Sequence, residues 1–399
     1  MKRWAPPKDL GKQEEYIVKR LTRTRKLFAF LRQRRDELLD EPFQAELEEM
    51  YRSTGAGEEP VPPALLCMAL ILQGYLGVSD AEAVELTVMD KRWQLVLDRL
   101  GEEEPAFGQG TLQQFRKRLI ANDMDRRLLE RTVELARKTE EFDWKKLPKD
   151  LRVGVDSRPL EGAGRVEDTF NLLGHAARKI VQTVATLLDK KPEDICRAAG
   201  IPLLLHSSIK AGLDINWSDP EEKDKAIDVL AGQVASLHAW IEKNQLSIEE
   251  PLRPYIEALV QVREQNLEEA EDGRMRIREG VAHDRRVSIE DAEMRHGRKS
   301  KSKRFNGYKE HIAADLDGEL ILACAVTPAN RPEEEATPQL QEDMEHQGIK
   351  ISELAIDRAY VNSGLTASVL SNGGEIVAKP WSPKPAGSLH EIGFQAQPA

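Results

Sequence analysis

The apolar positions of this chain change rhythm twice. From about Lys12 to Leu39, Ile17, Leu21, Leu27, Phe28 and Leu31 recur at helical spacing, and the run ALLCMALIL (64–72) is apolar throughout. That run is about half of the roughly 20 residues a membrane span needs, and Gln73 interrupts it, so it predicts a core helix. Ser79 with Glu82 and Thr111 with Gln114 have capping-box spacing, and each predicts a helix start. The second opens TLQQFRKRL (111–119), and residues 122–141 predict one more helix. STGAGEEPVPP (53–63) and LPKD (147–150) read as connectors.

At residue 151 the period shortens. LRVGVD (151–156) predicts a strand that delivers Asp156 to a turn within VGVDSRPLEG (153–162). Helical periodicity then returns over 168–280, through DTFNLLGHAARKIVQTVATLLD, KAIDVLAGQVASLHAWIEKN and PYIEALVQVREQNLEEAEDG. FNGYKEHIAAD (305–315) alternates, Asp317-Gly318 supplies a turn and ELILACAV (319–326) is an apolar β run, which together predict a hairpin. Residues 333–347 read as a helix, ELAID (353–357) as a strand ending at Asp357, 362–371 as a helix and EIVAKP (375–380) as a last strand. The remaining WSPKPAGSLHEIGFQAQPA shows no closing helix. Strand, long helical excursion, hairpin, helix, strand, helix, strand is the order of a ribonuclease-H-like mixed sheet. The expected class is therefore α/β, α+β overall, with a helical insertion at about 168–285 after the first strand. A helical N-terminal domain over 1–145 precedes a sheet domain over 150–399.

Composition narrows the function classes. Hydrophobic residues at 40% suffice for globular folding, while 32% charged and 5% aromatic residues suit long solvated helices. A net charge of -11 argues against a uniformly basic nucleic-acid binder and leaves binding to local patches. Cys67, Cys196 and Cys324 form no CxxC pair and there is no secretory signal, so a cytoplasmic setting is expected.

Candidate chemistry gathers at the two strand ends. Asp156 and Asp357 would meet at one edge of the sheet, where paired carboxylates can hold a divalent cation through hard oxygens; a capping role is the alternative for either alone. Between them lies RHGRKSKSKRFNGYK (295–309), with Arg295, Arg298, Lys299, Lys301, Lys303, Arg304 and Lys309, no acid, and Phe305 and Tyr308 interleaved. It can track a phosphate backbone or form a solvated loop. Arg116, Lys117 and Arg118 on the 111–119 helix, and Lys19, Arg20, Arg23, Arg25, Lys26, Arg32, Arg34 and Arg35 nearer the N-terminus, are open to the same two roles. His175, His238 and His296 make no metal-like cluster, and the glycines of Gly162 and Gly164 lack the third glycine of a dinucleotide site.

With these residues in place the chain resembles the DDE transposases of bacterial insertion sequences that carry a helical N-terminal domain. The matching stretches are LLCMALILQGYLGVSDAEAVELTVMDKRWQLVL (65–97) with TLQQFRKRL, VGVDSRPLEGAGRVEDTFNLLG (153–174), DAEMRHGRKSKSKRFNGYKEHIAAD (291–315) and AIDRAY (355–360). The resemblance implies cleavage and strand transfer at element ends with Mg or Mn, double-stranded DNA partners in the terminal inverted repeats and target, a homodimer on paired ends, and a cytoplasmic, nucleoid-associated bacterial protein without a membrane. Asp156 is then the first metal-binding acid and Asp357 the second. Relatives place a Glu on a helix after the last strand, and Glu391, 34 positions beyond Asp357, is the in-chain candidate. Because SLHEIGF has no helical pattern, the expectation is a C-terminally truncated chain whose third acid lay downstream. The alternative function is an inactive truncated transposase that occupies element ends and regulates an intact copy.

Overall fold

The structure is a computed structural model that describes residues 3–21, 26–51, 59–138, 150–246, 249–300, 302–318 and 320–379. Over these residues the chain divides into two compact units. One comprises Met1–Leu151, Ala314–Ala323 and Asp343–Lys350; the other comprises Arg152–Ala313, Cys324–Glu342 and Ile351–Ala399.

In the first unit the N-terminal residues form α1 (Lys12–Arg20), α2 (Lys26–Leu38), α3 (Glu41–Glu49), α4 (Pro63–Leu76), α5 (Asp80–Met89), α6 (Lys91–Leu97), α7 (Gln109–Ala121) and α8 (Met124–Lys138). Apolar on nearly every side, α4 is buried along most of its length, and its neighbours Phe28, Phe43, Leu47, Trp93 and Phe115 complete one core. No single described helix is long and apolar enough to cross a membrane. Ser79 caps α5, its hydroxyl accepting from Glu82 N at 3.2 Å. Thr111 does not cap α7, which begins two residues earlier behind Gly108. The reason is apolar: Phe107 and Leu112 occupy hydrophobic-staple positions around that start, and both are buried.

Two of the basic residues of α2 are not on a solvated or DNA-facing surface. Arg32 and Arg35 are each 1% exposed. Arg32 meets both oxygens of Glu14 and the carbonyls of Lys8 and Asp9. Arg35 donates to the carbonyls of Leu95, Val96 and Pro7 and pairs with Asp98. Burial, followed by the charge of Arg32, holds the Arg35 pKa down to about 10. Their long stems pack inside while the guanidinium groups satisfy backbone carbonyls of the segment before α1 and of the last turn of α6.

The sheet begins with β1 (Asp150–Glu161). This strand does not turn at Asp156 but runs on for five residues, because its continuation pairs with a partner strand: Gly162 N donates to Asn306 O at 2.9 Å. The insertion follows as α9 (Thr169–Leu187), α10 (Pro192–Ala199), α11 (Ile209–Leu213), α12 (Pro220–Lys243) and α13 (Arg253–Asn266). Phe170, Leu173, Ile180, Leu230, Val234, Leu259 and Val262 belong to its own core. Asp168 and Asp219 cap α9 and α12 with their carboxylates. Helical periodicity overreaches at its end. Residues 267–277 form a small antiparallel hairpin, β2 (Leu267–Glu269) and β3 (Met275–Ile277), turned by Asp272-Gly273 with Gly273 at φ +79°.

The remaining elements are β4 (Arg295–Arg298), β5 (Arg304–Asp315), β6 (Ile321–Pro328), α14 (Thr337–His346), β7 (Lys350–Ile356), α15 (Gly364–Ser371) and β8 (Glu375–Ala378). Strand order is β4-β5-β1-β7-β8, with β6 also paired to β5. Antiparallel β4–β5 and parallel β7–β8 pairs make the sheet mixed. Without the short β4 and the β2–β3 hairpin, the strands lie third-second-first-fourth-fifth in chain order, the ribonuclease-H-like arrangement with a helical insertion after the first strand.

Candidate active site

Both candidate aspartates lie in the second unit, Asp156 on the central strand β1 and Asp357 directly after its neighbour β7. Leu151, Val153 and Val155 are buried, so the period of two turns Arg152 and Asp156 to the opposite, exposed face. Arg152 pairs with Glu353 at 3.0 Å, and Asp156 and Asp357 both act on the Tyr360 phenol. β1 and β7 are neighbours in the sheet, and the Arg152–Glu353 pair lies four residues before Asp156 on β1 and four before Asp357, the residue that follows β7.

Each aspartate accepts from the next backbone N–H, Ser157 N at 2.7 Å and Arg358 N at 2.6 Å, which fixes its rotamer. Both are exposed, and neither forms an ion pair among the described residues. Most carboxylates around them are paired: Glu310 with Arg158, Glu353 with Arg152, Asp284 with Arg295. Arg295 and Asn330 hold the Asp284 carboxyl down to about 2.

A third carboxylate, which sequence reasoning placed only in a helical stretch, reaches the same place. Glu333 accepts from the Ser157 hydroxyl at 3.0 Å and lies 3.6 Å from Lys309 Nζ. Its Pro332-Glu333 start of a short helical turn was the available signal. Tyr360 and His311 were also missed. Burial, then the charges of Glu333, Asp156 and Asp357, push the Tyr360 phenol well above its ordinary pKa. Burial holds the His311 imidazole below its ordinary value.

The basic stretch divides. Arg295 is 8% exposed and is consumed by Asp284 and the carbonyls of Ala292 and Met294, so it presents nothing to a phosphate. Phe305 is buried and the Tyr308 hydroxyl donates to Asp291, so neither ring is offered for stacking on bases. Lys309 is turned inward to Arg331 O at 2.8 Å. By contrast Arg298, Lys299, Lys303 and Arg304 are exposed around the tip of the β4–β5 hairpin. Arg298 and Arg304 sit directly opposite one another, a like-charge pair that costs stability unless an anion lies between or beside them. Lys299 Nζ donates to Ser157 O at 3.3 Å, so the hairpin tip reaches the residue next to Asp156. Lys301 and Glu391 lie outside the described residues. In the other unit Arg116 pairs with Asp80, Arg118 covers the Tyr51 ring at 4.5 Å and Lys117 is exposed.

Residues 20–118 match the family model described as Transposase domain (DUF772), and residues 276–385 match that of the Transposase DDE domain. The chain is an insertion-sequence DDE transposase. No curated protein and no solved structure matches it. The DDE match takes in Asp357, Tyr360, His311, Glu333 and the basic hairpin, whereas β1 with Asp156 precedes it. Transposases of this family act on DNA and use a divalent metal.

Does the donor set fit such a cation? Among the described residues no three His, Cys, Asp or Glu side chains form a metal-holding group. Glu333 is engaged by Ser157 and Lys309, which leaves the two aspartates. Mg is commonly held by one or two carboxylates with substrate phosphate and water completing the shell, so this pair fits.

Proposed function

We propose that this transposase cuts and joins DNA strands at its element's ends in a Mg-dependent reaction, with Asp156 and Asp357 holding the cation. The observation that carries this reading is the pair itself: two exposed carboxylates, one on β1 and one directly after the neighbouring β7, each with its rotamer fixed by a backbone N–H and neither with a cationic partner among the described residues. When bound, a divalent ion offsets their repulsion and supplies Lewis acidity to a scissile phosphate.

This chain's own residues orient the DNA. Arg298, Lys299, Lys303 and Arg304 lie along the backbone, and Lys117 of the helical unit also binds phosphate. Water attacks phosphorus and the 3′-oxygen leaves, giving a 3′-hydroxyl and a 5′-phosphate. That hydroxyl then attacks a target phosphodiester, its proton passes to solvent, and the target 3′-oxygen leaves. No covalent bond to the protein forms. Paired ends held by two copies of the chain complete the reading.

An intact duplex carrying the element's terminal repeats tests it. With Mg the chain should leave 3′-hydroxyl and 5′-phosphate ends, and Asp156→Asn or Asp357→Asn should each lower the rate at least about a hundredfold while leaving the melting curve unchanged. Cleavage by both variants at the unmutated rate would refute the assignment.

A further inference from the structure

The β4–β5 hairpin has two unlike faces. Arg295, Gly297, Phe305 and Gly307 are buried, and a Cβ added to Gly297 would strike Ala329 and the Phe305 ring, so the inner face is closed. The alternate residues, His296 and Arg298 on β4 with Arg304 and Asn306 on β5, make the outer face. They stand as two cross-strand pairs, His296 opposite Asn306 and Arg298 opposite Arg304. Strand β4 ends the sheet on this side.

Each pair lacks something that a nucleic acid supplies. Two guanidinium groups directly opposite one another repel. Arg152, Arg158, Arg276 and Arg295 of the same unit each meet a carboxylate, whereas Arg298 and Arg304 have no such partner among the described residues. A phosphate set against both offsets the repulsion and suits their planar forks. The second pair leaves directional groups unused. Asn306 Oδ1 only accepts, so His296 donates to it from Nδ1, which fixes the amide plane and takes one lone pair of the oxygen. Glu161 accepts from the Asn306 backbone N–H at 3.4 Å and leaves the side-chain amide alone. The second lone pair of Oδ1 and the protons of Nδ2 remain, the set with which an asparagine meets N6 and N7 of adenine.

We infer that this hairpin enters the major groove of the element's end, where Asn306 reads one adenine and Arg298 and Arg304 grip a backbone phosphate. His296 is the positioning residue that holds the Asn306 amide. A groove about 12 Å wide admits a two-stranded ribbon. Lys299, at the tip, donates to the carbonyl of Ser157, the neighbour of Asp156, so the base read belongs to the same stretch of duplex as the phosphodiester that is cut. The unit that cuts thus also reads sequence. The inference rests on the reading of this unit as the one that cuts DNA.

The test measures binding of the full chain, by fluorescence anisotropy without divalent ion so that nothing is cut, to a duplex carrying the terminal repeat and to a shuffled duplex of equal length. Asn306→Ala should weaken binding to the repeat roughly 5- to 150-fold and leave binding to the shuffled duplex unaltered. Arg298→Gln should weaken both alike and lower the slope of log affinity against log salt by about 0.9. Placing 7-deazaadenine, which lacks N7, at each adenine of the repeat in turn should reveal one position that weakens the unmutated chain and has no further effect on Asn306→Ala. His296→Ala should blunt the effect at that same position, and it decides alone should Asn306→Ala fail to fold. Equal loss on both duplexes for Asn306→Ala, or the lack of any adenine whose effect depends on Asn306 or His296, would overturn the inference. An unmutated chain that binds neither duplex would instead overturn the DNA-cutting reading, and the inference with it.

Discussion

Arg32 and Arg35 show how one residue type serves opposite ends in this chain. Both stand in the stretch 18–35, which contains no acid, yet each guanidinium is spent on carbonyls and one carboxylate inside the first unit. Removing one partner of such a buried pair leaves an uncompensated charge. Glu14→Gln should therefore cost roughly 3 to 5 kcal/mol in chemical denaturation. The pH dependence has a defined sign. Burial alone would raise the Glu14 pKa, but hydrogen bonds from Arg32 and Gly11 N–H, with the charges of Arg32 and Arg35, outweigh it and hold the value low. Because the folded pKa is depressed, the stabilisation is present above the ordinary glutamate value of about 4.3 and is lost as pH falls through the lower folded value. Acid titration of stability should show this loss in the unmutated chain, and Glu14→Gln should lack it.

At the scale of elements, β5 carries two distinct demands. Gly307 lies where β1 crosses it, at φ +142°, and an added Cβ would strike the backbone of Leu160, Glu161 and Gly162. Gly307→Ala should cost at least about 2 kcal/mol, since neither strand can move aside without breaking the ladder. Gly232, within α12 and with open space around it, is the internal comparison: Gly232→Ala should stabilise by about 0.5 to 1 kcal/mol. The other end of β5, with β4, presents the basic hairpin. Neutralising Lys299, Lys303 and Arg304 together should reduce the slope of log affinity against log salt by about 0.9 for each DNA phosphate that these side chains neutralise. Replacing Arg295 should lower the melting temperature and leave that slope alone, because its charge is already matched by Asp284. A triple variant with an unaltered salt slope would remove this hairpin from the DNA interface.

For the whole molecule, what the sequence made legible follows from which forces act locally. Strand and helix order emerged because period two and period 3.6 are written residue by residue, and the mixed sheet follows from that order. Asp156 and Asp357 were legible because each ends or interrupts an apolar run. Three things were not. Strand β1 outruns Asp156 because pairing with β5 overrides Pro159 and Gly162, a long-range effect. The 267–277 hairpin was masked by helical composition on either side of its Asp-Gly turn. The bonds of Ser157 to Glu333 and of His311 to Tyr360 and Thr327 join residues separated by up to 176 positions, so no local pattern announces them. The same distances explain why exposure sorted the cations only in three dimensions: Arg295 and Lys299, four residues apart, face a carboxylate and a strand edge respectively.

The central claim is that Asp156 and Asp357 share one divalent cation. With Fe²⁺ in place of Mg, and ascorbate and peroxide added, radicals formed at the bound ion should cut the polypeptide near residues 156 and 357. Those cuts should fade with added Mg and disappear in either Asp→Asn variant. Cuts elsewhere, or cuts at these two places that survive both variants, would contradict the account.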